Sequence, residues 1–428
     1  MAGLRRRISL SGGTALAVGM VVGSGIFGLP GLALQLSSPQ VAALGWLACT
    51  IACFPLLCIF AILGTRYASA AGISRYAEVA LGPRAEYAVT AVLCGTFPLT
   101  VPAQSLIGAS YALIAFGLKH EALLPVAESF LLVAVLFNLG GIRTAALINT
   151  TALVLIVATV LALGAMHPSD LLRGMRLWAR PDWSSVTFTQ LWKVSALIFW
   201  AFLGWENVSF CLEEVKDPQR TIKRIYISSY IVVIVLYFLL AATMNGASVG
   251  DPSVNVTEGI ANLVSPRWRI MFSLMTVAVI LATANAWVFS ASRLFYAAGR
   301  NGLLPEVFAR LDPKGSPRNA VFLVAACFAV VLAAATFLHL SASDLVLLSN
   351  QNFLILYLVC ICCSWKIGHG LSRWLLTPVA LLACGFLLAG FNYQVLYPIA
   401  LLALGSACWR SRDARQIAHM AGNDPPPG

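Results

Sequence analysis

Few side chains in this chain stand where they could do chemistry, and the foremost is an acid. Glu206 lies well inside an apolar stretch, directly after Phe202-Leu203-Gly204-Trp205. An ionised side chain at the centre of a membrane helix costs on the order of 3 kcal/mol. Low dielectric disfavours the charged form of a carboxyl group. Such an acid holds its proton while enclosed and releases it when water enters, which is proton-exchange chemistry. The alternative is a structural acid that ties down an interrupted helix. The second feature is Gly23-Ser24-Gly25 in the first apolar stretch, followed by Ile26-Phe27-Gly28-Leu29-Pro30. Glycine costs a helix about 1 kcal/mol against alanine, so a closely spaced pair invites local unwinding. Unwinding bares N–H groups at the start of the next half-helix. Those groups, aided by the helix dipole, suit an anion such as a carboxylate. The carbonyls that end the preceding half-helix, near Val21 and Val22, suit a cation, and Phe202 and Leu203 offer more of the same. The competing reading of both glycine sites is a close helix–helix contact, which small residues also favour.

Other polar and aromatic groups are more ambiguous. Thr283, Asn285 and Asn350 fall within apolar stretches. They either line a pocket or bond neighbouring helices, at about 0.6 kcal/mol each. Trp200 and Trp287 lie away from the ends of their stretches, where interfacial tryptophan is expected. Pro98 and Pro102 free backbone carbonyls that need a cavity or protein beside them rather than lipid.

The absences narrow the chemistry further. No histidine lies in the middle of an apolar stretch, so no histidine relay is available. The eleven cysteines sit in apolar runs without metal-ligand spacing, so they read as small packing residues. A membrane-embedded enzyme would cluster nucleophile, acid–base or metal groups within its spans, and this chain has a single buried acid. No cofactor and no metal are expected.

The elements that must position these residues are membrane helices. The chain has 428 residues, 59% hydrophobic and 11% charged, against about 25% charged in a soluble domain. No Asp, Glu, Lys or Arg occurs from Ile8 to Thr65, from Tyr87 to Leu118 or from Ile225 to Gly250. Those gaps exceed the roughly 20 residues that cross a hydrocarbon core. Twelve spans are predicted, at about 10–35, 41–64, 87–117, 122–140, 144–166, 191–212, 225–245, 270–292, 319–339, 343–365, 373–390 and 393–409. The first is a retained span rather than a signal peptide, because no small-residue cleavage site follows Arg5-Arg6-Arg7. The tail 411–428 is polar, ends in three prolines and a glycine, and is expected to be disordered and cytoplasmic.

Charge gives the orientation. With the N-terminus inside, 21 of the 28 Lys and Arg face the cytoplasm, which places both termini there. The loop 167–190 dissents, since it would lie outside yet carries Arg173, Arg176 and Arg180. The net charge of +11 thus reflects membrane orientation rather than nucleic-acid binding. Spans one and six are both interrupted, and an odd offset sets them in opposite orientations. Matching interruptions in two halves mark an inverted-repeat transporter.

At these residues the chain resembles the amino acid–polyamine–organocation superfamily of secondary transporters. Three blocks carry the likeness: Gly19-Met20-Val21-Val22-Gly23-Ser24-Gly25-Ile26-Phe27; Phe199 to Glu206 with Glu213 to Arg220; and Ser292 to Pro305. It looks most like the bacterial exporters of methionine and branched-chain amino acids, on Phe97-Pro98, Val101-Pro102, Ser349-Asn350 and Leu356-Tyr357-Leu358. The resemblance implies an all-α membrane protein of the LeuT-like five-plus-five inverted-repeat fold. One transporter domain, 1–410, would hold repeats at about 10–166 and 191–365 and two extra helices at about 373–409.

The resemblance also implies roles. A zwitterionic amino acid would be held at Val22, Gly23, Ser24, Gly25, Ile26, Phe202 and Gly204, with Asn285 and Asn350 as pocket polar groups. Trp200 would close over the substrate, Trp287 would lie against its aliphatic part, and Glu206 would serve gating and protons. Span five lacks the lysine found in many proton-coupled relatives; Ile156 takes its place. No acid other than Glu206 is available to pair with a cationic side chain, so a neutral apolar substrate is favoured. The expected function is proton-coupled export of methionine, leucine, isoleucine and valine across a bacterial inner membrane by alternating access. An importer or exchanger of the same fold is the alternative within transport. A nutrient sensor is the alternative of another class, and the short tail after Arg410 disfavours it.

Overall fold

The computed structural model describes residues 6, 8–69, 71–139, 142–312, 316–391 and 393–421, with side chains at all of these except 24, 142–150 and 411–421. Among them the chain is helical throughout, apart from an isolated bridge between Ile8 and Val215. Helix starts follow the local sequence. Proline opens Pro39–Arg66, Pro83–Phe116, Pro218–Ser248 and Pro266–Arg300, since its missing N–H has no helical partner at the first turn anyway. Ser9 and Ser38 cap their helices through side-chain oxygens, and Ser341 with Asp344 closes a reciprocal capping box before Ala342–Ile367.

Among the described residues, eight helices are long and apolar enough to cross a membrane. They correspond to spans one to four and seven to ten. Span five continues past its end into Pro168–Ala179, bent by 95° from Thr151–Met166. That bent helix accounts for the arginine-rich loop: it folds back against span seven. Its closeness rests on glycine, because a Cβ on Gly174 would lie 1.9 Å from the Ala242 oxygen. Arg173 there reaches Asp170 at 3.3 Å and donates to the Gly246 carbonyl at 3.0 Å. Span six is broken into pieces too short to qualify singly. Span eleven is the short helix Thr377–Leu388, and the last helix is Leu396–Ala421, which runs past the limit of 409 expected from the sequence. The expected tail beyond Ala421 lies outside the described residues.

The two broken spans lie at the heart of the bundle. Span one is Leu10–Val21 and Ser24–Leu36. Span six is Phe188–Ile198, a tight turn of helix at Phe199–Phe202, and Trp205–Ser209. Spans three, seven, eight and ten pack around them, with Trp46, Trp205, Tyr111 and Tyr237 among the fully buried side chains. At one end, the Ile8 N–H donates to the Glu214 carbonyl at 2.9 Å, and Lys216 N–H returns a bond of 2.9 Å to Ile8. The start of span one is thereby tied to the segment after span six.

Candidate functional site

Span one breaks where its glycines fall. Val22 (φ −85°, ψ 84°) and Gly23 (φ −116°, ψ −133°) are both non-helical, and Ser24 restarts the helix. A helix restarted here leaves its first N–H groups without a partner in that helix. Those are the amides of Ser24 and Gly25. Some carbonyls released upstream are met by side chains. Trp287 Nε1 donates to the Met20 oxygen at 3.3 Å, and the Tyr237 hydroxyl reaches the Val21 oxygen at 3.3 Å. The same hydroxyl lies 2.5 Å from the Ala201 oxygen, so its single proton is shared between carbonyls of the two broken spans, with Ala201 the nearer. Each carbonyl has two lone pairs and can still accept from a solute.

Span six breaks at Leu203, which is extended, and Gly204, at φ +120°. Side chains rarely adopt that φ, and glycine adopts it freely. Space imposes the same choice, because a Cβ on Gly204 would sit 2.7 Å from the Met20 oxygen and 2.9 Å from Val21 Cα. The two breaks are thus in direct contact. Gly23 is equally enclosed, with a Cβ there falling 2.3 Å from Thr283 Cγ2.

Glu206 follows this turn and is wholly buried. Its Oε1 accepts from the Gly204 N–H at 2.9 Å, and its Oε2 accepts from the Tyr357 hydroxyl at 2.7 Å. Both carboxyl oxygens therefore have donors. The acid bridges the broken backbone of span six to span ten.

A cavity of about 10 Å³, little more than the room one water needs, lies between the breaks, lined from spans one, three, six and eight. Ligand pockets run from about 300 to 1,000 Å³, so this one is contracted too far to hold a solute as it stands, with its lining residues all buried. Trp200 and Trp287, Gly23 and Gly25 border it, as do Val21, Leu203 and Thr283. None of its lining residues is charged. Val22, Ile26, Phe202 and Gly204 are buried beside it without lining it. The side chain of Ser24 lies outside the described residues.

Two polar residues expected in the pocket sit elsewhere. Asn285 Oδ1 accepts from Asn138 Nδ2 at 2.8 Å, joining spans eight and four. Asn350 Nδ2 donates to the Ala196 oxygen at 2.9 Å, joining spans ten and six. Three further residues line the cavity without any sequence motif that assigns them there: Met20, Thr100 and Gln104. Pro98 and Pro102 mark the stretch that holds the last two, but not the face of it that meets the cavity. The prolines fall inside the continuous helix Pro83–Phe116, and Thr100 and Gln104 occupy a face of that helix turned to the cavity.

Comparison with known proteins agrees with this geometry. The family model described as amino acid permease matches residues 8–411. The L-methionine/branched-chain amino acid exporter YjeH of Escherichia coli is 26% identical over 94% of this chain and 96% of its own. The uncharacterized amino acid permease YecA of Bacillus subtilis is 27% identical over 94% and 95%. The crystal structure of MhsT in complex with L-phenylalanine superposes with a TM-score of 0.63, covering 94% of this chain and all of that one at 14% identity. That likeness shows the fold, the LeuT-like all-helical membrane architecture with broken first and sixth spans. With residues 8–411 matched and the two broken spans meeting at an uncharged cavity, the chain belongs to the amino acid permease family of membrane transporters.

Proposed function

We propose that this transporter exports neutral apolar L-amino acids, namely methionine, leucine, isoleucine and valine, in exchange for protons. The observation that carries this reading is the cavity at the touching breaks, which no charged side chain lines. A cationic solute such as arginine would find no acid there to pair with, and an unpaired buried charge is costly. A zwitterion needs only its two backbone charges answered. The Ser24 and Gly25 amides take the carboxylate, and the carbonyls at Val21, Val22 and Phe202 take the ammonium. Trp200 closes over the solute, Trp287 lies along its hydrocarbon, and Ile26 and Gly204 shape the floor.

Glu206 exchanges the proton. In the closed form it is wholly buried, with Oε1 accepting from the Gly204 N–H and the carried proton on Oε2, facing the Tyr357 hydroxyl oxygen. Opening of the breaks toward one face exposes it, and ionisation there couples the conformational change to proton movement. The likeness to a relative named as an exporter of the same solutes supports the substrate class and direction. The Lys and Arg distribution supports both termini in the cytoplasm of a bacterial inner membrane.

The test is counterflow in vesicles containing the purified protein. Labelled leucine and methionine should exchange across the bilayer and arginine should not. An acidic compartment opposite the solute should accelerate efflux. Transport of arginine at the rate of leucine, or of no amino acid at all, would overturn the proposal.

A further inference from the structure

The central cavity carries a polar side chain whose acceptor has nothing to bond. Gln104 lies one helical turn beyond Thr100 on span three, and both line the cavity. The residue is 2% exposed, and its amide oxygen has no hydrogen-bond partner among the described residues. Its polar neighbours are committed. The Thr100 hydroxyl donates to the Thr96 carbonyl at 3.1 Å, Thr283 to the Val279 carbonyl at 3.0 Å, and Trp287 to Met20 at 3.3 Å. Leaving a buried polar group unpaired costs about 1–3 kcal/mol. The amide recovers part of that when a solute supplies a partner.

The location says which part of the solute would do so. The breaks of spans one and six present backbone N–H and C=O groups, which answer to the solute's carboxylate and ammonium. Span three contributes no broken backbone, since Pro83–Phe116 is continuous. Its wall, with Trp287, is left for the solute's side chain. We infer that Gln104 reads that side chain and selects neutral side chains bearing a heteroatom over pure hydrocarbons of the same size. The inference rests on the proposed transport of neutral amino acids and refines it. A hydroxyl or amide on the solute can donate to the free oxygen, and a thioether, which is only an acceptor, can take a bond from the Gln104 N–H groups; a methylene makes neither contact. A thioether is a weak acceptor, so the gain for methionine over the branched-chain solutes is modest.

Norleucine isolates the effect, because it carries a methylene where methionine carries sulfur. Uptake of labelled methionine into vesicles is competed by methionine or by norleucine, with wild type and with Gln104→Leu. In wild type, methionine should compete better by about twofold, the low end of one net hydrogen bond because the acceptor is weak. In Gln104→Leu that ratio should fall to about one, with norleucine competing as well as before or better. The thermal midpoint of Gln104→Leu should equal or exceed that of wild type, because an unpaired buried amide has been removed. An unchanged ratio, equal loss of both solutes, or a lowered midpoint would overturn the inference. Failure of wild type to take up either solute would instead contradict the transport reading itself.

Discussion

The Tyr357 hydroxyl donates to Glu206 Oε2 at 2.7 Å, and that bond joins span ten to the break of span six. Removing Glu206 outright would damage either a proton carrier or a structural tie, so Glu206→Ala does not separate the two. Glu206→Gln does, since the amide bonds in the same place and cannot titrate. In the variant, leucine binding should persist while the pH dependence of transport flattens. The sign follows from exchange: acid on the face opposite the solute speeds wild-type efflux, and it should leave the variant's efflux unaltered. A pH profile in Glu206→Gln matching that of wild type would remove the proton role and leave the structural one.

Gly204 holds a φ that side chains resist, against the backbone of Met20 and Val21. Gly204→Ala should therefore destabilise the fold by about 1–3 kcal/mol through backbone strain alone, with the 2.7 Å clash added. Thermal unfolding of the purified variant measures this. Transport should fall with it, because the two breaks can no longer meet. A variant with wild-type midpoint and rate would show that the breaks do not need to touch.

Gly25 borders the cavity with less crowding. A Cβ there would lie 3.2 Å from Trp200 Cδ1 and 3.3 Å from Ala201 Cα, so alanine requires a shift of a few tenths of an ångström. Gly25→Ala should weaken leucine binding and Gly25→Leu should abolish it, because added bulk fills the space in front of the Ser24 and Gly25 amides. Calorimetric titration with leucine on monodisperse protein checks both. Full-rate transport by Gly25→Leu would remove span one from the mechanism.

These positions differ in how far the sequence reveals them. The breaks are legible because the pair Gly23 and Gly25 in span one, and Gly204 beside an acid in span six, interrupt apolar stretches at matching places in the two halves, and a Cβ on Gly23 or Gly204 would meet a neighbour under 3 Å away. Glu206 is legible because an acid deep in a span is costly. Gln104 and Thr100 are not, because they sit on an unbroken helix among ordinary small and apolar residues, and only packing shows which face meets the cavity. Asn285 and Asn350 mislead for the same reason. A polar residue within a span serves a pocket or a neighbouring helix equally well, and here Asn138 and the Ala196 carbonyl are the partners. The bend after Met166 is hidden as well, since charge counting registers arginines but not a helix folded back on span seven.

Sodium is a further discriminator. The Thr283 hydroxyl, beside the break of span one, is committed to the carbonyl of Val279 in its own helix. Replacing sodium by choline at constant pH should leave the transport rate unchanged. If transport stops, proton exchange fails as the driving force, and Thr283 with Ser290, whose hydroxyl is buried and unpaired among the described residues, becomes the place to look for the ion.

Whether the touching breaks are where the solute binds is most directly measured by determining the structure of the protein with L-methionine bound. The carboxylate should lie within hydrogen-bond distance of the Ser24 and Gly25 amides, with the ammonium at the carbonyls before Gly23 and the side chain between Trp287 and Gln104. Ordered methionine elsewhere, with the space between Gly23, Leu203 and Trp200 still contracted around no solute, would contradict it.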